Sequence, residues 1–149
     1  DLVINLFIAQ ALNEGKITVF GGEQYRPFLH VQDAAESLIF ALENDFEGMY
    51  NVISENLTIL QAAERIKKLT GCEIEISNEE PDKRDYKVSA EKIKKFGFSP
   101  SKNIEFAFDE IKQAFEKKVI ENHNDSKFSN YKFLFGSEEM RKKVFIQGL

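Results

Sequence analysis

The nineteen residues from Ile17 to Ala35 constrain this chain more than any other stretch. Ile17-Thr18-Val19-Phe20 is β-branched and aromatic and stops at Gly21-Gly22, which predicts a strand closed by a turn. Phe28 to Val31 predicts a second extended stretch, because Pro27 removes a backbone donor and biases its neighbour away from helix. Asp33 then stands where its carboxylate can cap a helix whose apolar positions 34, 35, 38, 41 and 42 run on to Asn44. Two extended pieces and a helix this close together exclude an all-helical chain and point to an α/β mixture.

The flanking sequence extends the alternation. Apolar residues at 4, 7, 8, 11 and 12 predict a helix over 2–13, with Asn13 and Gly15 to end it. Met49 to Ile53 predicts a strand. Thr58 and Gln61 form a capping box, and the helix they open runs to about Leu69 before Thr70-Gly71. Glu73 to Ser77 alternates as a half-buried strand, and residues 78–85 read as a charged loop. Ser89 is placed to cap a short helix through Lys95, with Gly97 in a left-handed position after it. Ile104, Phe108, Ile111 and Phe115 share one face of a helix over 104–118, a core stripe rather than a cofactor box. Beyond it, 121–127 is polar loop, and Phe128, Tyr131, Phe133, Leu134 and Phe135 form an aromatic cluster without clean periodicity. Ser137 is placed to cap a last short helix ending near Phe145.

Length and charge narrow the function classes. The 149 residues suit one compact domain, and 42% of them are hydrophobic, enough for a core. Residues 1–60 hold 2 basic and 9 acidic side chains, and residues 61–149 hold 18 basic and 16 acidic. Neither part is a polycation, so nucleic acid is not expected as a partner. No apolar run approaches the ~20 residues of a membrane helix, so no membrane partner is expected either. The single cysteine, Cys72, rules out an internal disulfide and any multi-cysteine metal site, and it reads as an inert thiol. His30 and His123 have no metal-ligand spacing, so no metal site is expected. Neither G-x-G-x-x-G, G-x-x-x-x-G-K nor G-x-S-x-G occurs, and no tyrosine is followed by a lysine four residues later. No catalytic residue is therefore expected in this chain. The two N-x-[ST] matches, at Asn56 and Asn124, read as chance.

Four segments in order carry a resemblance. They are Phe20-Gly21 with Arg26-Pro27-Phe28, His30-Val31, Asp33 and Ala35; then Gly48-Met49-Tyr50-Asn51-Val52; then Thr58 to Ile66; and then Pro81-Asp82-Lys83-Arg84 with Ser89 to Pro100. Together they resemble the C-terminal part of the NAD-dependent nucleotide-sugar epimerase/dehydratase family, the extended short-chain dehydrogenases, over about residues 1–118. Two departures stand out. Pro27 takes the place of a commoner Asp, and Ile53 the place of a Gly that would permit close backbone approach.

The resemblance implies the following expectations. The fold class is α/β: a C-terminal substrate-binding lobe with a helix and a strand (34–44 and 49–53) that would complete a Rossmann domain missing from this chain. Residues 1–118 form the substrate-binding region and 119–149 a C-terminal extension. NAD is held by the missing N-terminal half, which also supplies the Tyr/Lys pair, so the fragment alone does not turn over. The substrate class is a nucleotide-diphosphate sugar, and the intact enzyme is a cytoplasmic homodimer. Arg26 and Arg84 reach the diphosphate from opposite sides, as guanidinium forks suit phosphate oxygens. Phe20 borders the base, and Leu2 with Val3 forms an apolar wall near it. From spacing alone the same residues also read as structural: each arginine as a surface salt bridge, Arg84 with Asp82 or Asp85, Phe20 as a core strand residue, and Leu2 as a plain helix start. Asp33 reads as a helix cap, His30 as a packed strand residue and Asn51 as a strand-end hydrogen-bonder. The missing sheet would leave an apolar helix face and strand edge exposed. The absence of an initiator Met and the start inside a helix read as the cut edge of a longer chain. The alternative is a non-catalytic nucleotide-sugar-binding or protein-interaction module that has lost the dinucleotide-binding half.

Overall fold

The computed structural model describes residues 2–129 together with 132, 133 and 136. The elements, in order, are α1 (Val3–Glu14), β1 (Lys16–Phe20), β2 (Tyr25–Phe28), α2 (Val31–Glu43), β3 (Glu55–Thr58), α3 (Ile59–Thr70), β4 (Glu73–Ser77), α4 (Glu91–Lys94) and α5 (Ile104–Glu116), followed by a short 3-10 turn at Ser126–Phe128. This is the expected α/β alternation. The helix predicted from Ser137 and the aromatic residues Tyr131, Leu134 and Phe135 lie outside the described residues.

The main core is built where the helical stripes predicted it. Phe7, Ile8 and Ala11 of α1, Ile59, Ala62, Ala63 and Ile66 of α3, and Ile104 and Phe108 of α5 meet Ile17 and Val19 of β1. Cys72 is buried in the same cluster. Parallel pairing of β1 with β4, Lys16 opposite Glu73 through Phe20 opposite Ser77, closes the layer below. The capping box of α3 is present: the Thr58 hydroxyl accepts from Gln61 N at 3.1 Å and the Gln61 carbonyl oxygen accepts from Thr58 N at 2.9 Å. Gly71 ends α3 in the left-handed conformation at φ 75°. Arg65 reaches from α3 to Glu55 of β3, 2.5 Å away, and to Glu105 of α5, tying three elements at the edge of this core.

Four expectations are corrected. The strand lies at Glu55–Thr58 rather than Met49–Ile53, because a strand needs a partner and β2 offers one in antiparallel register, Tyr25 opposite Thr58. Residues 50, 52 and 53 instead pack as irregular chain on Ala90, Ile93 and Phe98 in a second small core, with Phe46 stacked on Tyr50 at 4.6 Å between centroids. Ile53, where a glycine was expected, is part of this packing. The second extended stretch is Tyr25–Phe28, and Val31 already begins α2. Asp33 does not cap its own helix. His30 does, its Nδ1 accepting from Gln32 N at 3.2 Å, while Asp33 points inward. Ser89 contributes only a long 3.4 Å bond to Glu91 N, and the capping position of α4 is Ala90.

Asp33 is fully buried. It accepts from Ser101 N at 3.0 Å and Lys102 N at 2.9 Å, with the Ser101 hydroxyl at 3.3 Å. Burial pushes its carboxyl up, but the Ser101 and Lys102 N–H groups, the Lys102 charge and the Ser101 hydroxyl outweigh it and hold the group below the ordinary carboxylate value. The result is a helix that buries two polar residues and packs Phe40 against Phe98 of the second core, with most of its other large apolar side chains exposed. Asp33 and Ser37 are buried, whereas Val31, Leu38, Ile39 and Leu42 are exposed, Leu42 at 82%. Met49 adds to the exposed apolar surface, and Ile76 of β4 is exposed as well.

Candidate functional site

The β1–β2 turn sets one wall of the site. Gly21 has φ 73°, and a Cβ there would meet Pro81 at 2.7 Å, so only glycine lets the 78–85 loop lie this close. Further along, the loop is fastened to the β2–β3 ribbon. The Asn56 side chain both donates to Val88 O and accepts from Val88 N at 2.9 Å, imitating one rung of a sheet. Asp85 accepts from Tyr25 N at 2.8 Å, and Tyr86 N donates to Tyr25 O at 3.4 Å. These anchors carry Arg84 to Arg26 across 58 residues of sequence.

The two arginines are held differently. Arg26 is nearly buried: its Nη1 donates to Tyr25 O at 2.8 Å and to Arg84 O, its Nη2 lies 3.2 Å from Asp82, and its guanidinium sits 5.5 Å from the Tyr86 ring centroid. Arg84 is exposed, and its side chain binds only Asp82, bidentately, at 2.5–3.0 Å. Arg84, with help from Arg26, therefore holds the Asp82 carboxyl well below the usual carboxylate range. The surface salt bridge foreseen for Arg84 is present with Asp82, and Asp82 bridges both guanidiniums.

These groups open on a groove of about 700 Å³, within the range of roughly 300–1,000 Å³ usual for small-molecule sites. Leu2, Phe20, Arg26 and Arg84 all line it, although they come from the residue before α1, from β1, from β2 and from the 78–85 loop. Phe20 is 39% exposed at the rim rather than facing the core, and Leu2 is 71% exposed. The groove therefore has cationic groups at Arg26 and Arg84, the Tyr86 ring beside Arg26, and apolar surface at Leu2 and Phe20. Sequence reasoning missed Tyr86 and Asn56, and offered Asp85 as an Arg84 salt-bridge partner, whereas it accepts from Tyr25 N. Asn56 was visible only as a chance N-x-[ST] match, and no periodicity marks a loop residue that pairs with a strand.

His30 also lines the groove, edge-on to Phe106 with centroids 5.2 Å apart. Its Nδ1 accepts from Gln32 N, and its Nε2 donates to Glu110 at 2.8 Å. Both ring nitrogens are thus engaged, and His30 serves as a cap. Asn51 reaches Ser89 O only at 3.5 Å and stands in no strand. Among the described residues, no three His, Cys, Asp or Glu side chains converge as a metal site would. The Gly21-Gly22 turn leads into a strand, not a helix, and the carbonyls of Gly22 and Gln24 accept from Leu60 N and Ile59 N at the start of α3. No helix among the described residues is long and apolar enough to cross a membrane.

The mixed α/β fold and the sequence are similar to those of known proteins. Residues 1–52 match the NAD dependent epimerase/dehydratase family. UDP-glucuronic acid decarboxylase 1 of Arabidopsis thaliana is 36% identical over 69 residues, 45% of this chain and 16% of that protein. Probable GDP-L-fucose synthase 1 of Oryza sativa subsp. japonica is 28% identical over 119 residues, 75% of this chain and 36% of that protein. In structure, dTDP-glucose 4,6-dehydratase from Bacillus anthracis str. Ames in complex with NAD superposes with a TM-score of 0.64 at 30% identity, over 78% of this chain and 39% of that one. Residues 1–52 are thus similar to the NAD dependent epimerase/dehydratase family, and the chain spans well under half the length of these similar proteins.

Proposed function

We propose that this chain is the C-terminal, substrate-binding half of an NAD-dependent nucleotide-sugar epimerase or dehydratase. Residues 1–118 seat the nucleotide diphosphate and orient the sugar, and 119–149 form an extension. The observation that carries the reading is the convergence of Arg26, Arg84, Phe20 and Leu2 on one groove from four separate segments. Arg26 and Arg84 take the diphosphate, where charge-assisted bidentate bonds are strong. Phe20 and Leu2 offer the base an apolar surface. Holding the sugar in a reactive pose is itself a contribution to rate.

NAD belongs to another half of the enzyme in this reading. What supports it is the junction chemistry: the one double-glycine turn runs into a strand, and the first amides of α3 are already bonded to carbonyls. The exposed apolar face of α2 is the surface that half would cover, and its size favours self-association when left bare. The chain alone then gives no turnover, and the intact enzyme is a cytoplasmic homodimer.

Calorimetry of the 149-residue chain with UDP, GDP and dTDP tests the site. Native chain is expected to bind at least one of them, and Arg26→Ala or Arg84→Ala to weaken it by about ten- to a hundredfold. Binding unchanged by both substitutions would remove the arginines from the site, and epimerisation of a nucleotide sugar by this chain with added NAD would overturn the assignment of halves.

A further inference from the structure

We propose that Asp82 is a built-in competitor for the phosphate seat, an anion of the protein's own that a ligand phosphate must displace; this rests on the reading of Arg26 and Arg84 above. Three observations carry it. Among the described residues, Asp82 is the one carboxylate that touches both guanidiniums, at 3.2 Å to Arg26 Nη2 and 2.5 Å to Arg84 Nη2. It therefore occupies the place where one phosphate would bridge them. Second, the contact is reversible. Asp82 is exposed on a loop whose fastenings lie on either side of it, Pro81 against Gly21 and Asp85 on Tyr25 N, so the carboxylate can leave without undoing them. Third, the two arginines differ in freedom. Arg26 is fixed by the carbonyls of Tyr25 and Arg84, whereas the Arg84 side chain has Asp82 alone and is free to close on whatever replaces it.

The consequence is a threshold. A ligand with a single weak charge competes poorly with a carboxylate gripped bidentately, whereas a diphosphate carries more charge and more acceptors than Asp82 and displaces it. Until then Asp82 keeps two neighbouring cations together that would otherwise repel each other. Asp82 thus sets both the affinity of the seat and its preference for polyanions.

The test compares Asp82→Asn with Glu79→Gln, which removes the same charge from an exposed position of the same loop without touching either arginine or the loop's anchors. Asparagine at 82 still accepts the Arg84 N–H that Asp82 accepts at 3.0 Å, so the loop keeps its turn. The probe is inorganic pyrophosphate at low salt, with acetate as a singly charged comparison, and binding is read by calorimetry. Asp82→Asn is expected to bind pyrophosphate about tenfold more tightly than the native chain and to gain measurable acetate binding, while Glu79→Gln changes affinity less than about twofold. Equal gains in the two variants would reduce the effect to bulk charge and overturn the proposal, as would unchanged or weaker binding in Asp82→Asn. In those cases pyrophosphate binding by the native chain would still uphold the arginine site. Failure of every form to bind pyrophosphate would overturn both.

Discussion

Helices α2 and α3 are almost the same length, 13 and 12 residues, and both show apolar residues at helical spacing. They are packed opposite ways round. α3 buries Ile59, Ala62, Ala63 and Ile66 and turns Glu64, Lys67 and Lys68 to solvent. α2 buries Asp33 and Ser37 and turns Leu38, Ile39 and Leu42 to solvent. Periodicity states which residues share a face. It does not state which face looks inward, and that depends on what the rest of the chain offers as cover. α3 finds α1, α5 and β1. α2 finds Phe98, against which Phe40 packs, and the 101–102 backbone, which asks for an acceptor rather than a methyl group. Under the proposed assignment of halves, α2 is a helix shared between two bodies, with one face committed to each.

The comparison breaks first, and by the largest amount, on the α3 side. Ile66 has no solvent exposure, and Ile66→Ala removes buried methyl groups from the middle of the main core. The expected loss is roughly 2–5 kcal/mol, read from the urea midpoint at constant slope, enough to leave a domain of ordinary stability marginal. A loss under about 1 kcal/mol would mean that α3 is no more committed to this core than α2.

The α2 side responds to pH instead of to volume. Because Asp33 titrates below an ordinary carboxyl in the folded chain, the folded state holds fewer protons than the unfolded state over that interval. Its contribution is complete above the ordinary carboxyl pKa and is lost as pH falls through the lowered folded value. Asp33→Asn keeps the shape but takes away the charge that the Ser101 and Lys102 N–H groups bind, and is expected to cost about 1–3 kcal/mol at neutral pH. The cost should shrink toward acid, so native and variant urea midpoints measured from neutral pH to about pH 2 converge. A constant gap would show that Asp33 matters for packing and not for its charge.

These two helices also mark how far the sequence could be read. Helix boundaries, the Thr58–Gln61 box, the β4 alternation and the α5 stripe follow from local chemistry, and local chemistry is written in neighbouring residues. Asp33 was legible as an acceptor for backbone amides, but the nearer amides of its own helix were the obvious candidates, and the true donors lie 68 and 69 residues away. The Met49–Ile53 strand failed for a related reason: β propensity is a fit to a neighbour, and the neighbour available, β2, pairs with Glu55–Thr58 instead. At the site, the arginines were legible because a resemblance named their positions. The Asp82 bridge was half legible, as an Arg84 salt bridge, since nothing in the spacing brings Arg26 to the same carboxylate. Loop 78–85 reaches Arg26 only through Gly21, Asn56 and Asp85, three residues whose roles need the fold to be seen.

The smallest effect on stability sharpens the contrast most. Leu38→Lys with Leu42→Lys replaces two exposed leucines one helical turn apart on the bare face of α2. If that face has no cover within this chain, the double variant unfolds within about 0.5 kcal/mol of the native chain, because surface changes away from packed features cost little. Its sedimentation, by contrast, should change: an apolar stripe favours self-association at high concentration, and two ammonium groups on it oppose that association. The same pair of lysines on the buried side of α3, at Ala62 and Ala63, would prevent folding altogether. A double variant of α2 that lost more than about 1 kcal/mol, or sedimented like the native chain at every concentration, would show the outward face of α2 to be ordinary surface rather than an interface left open.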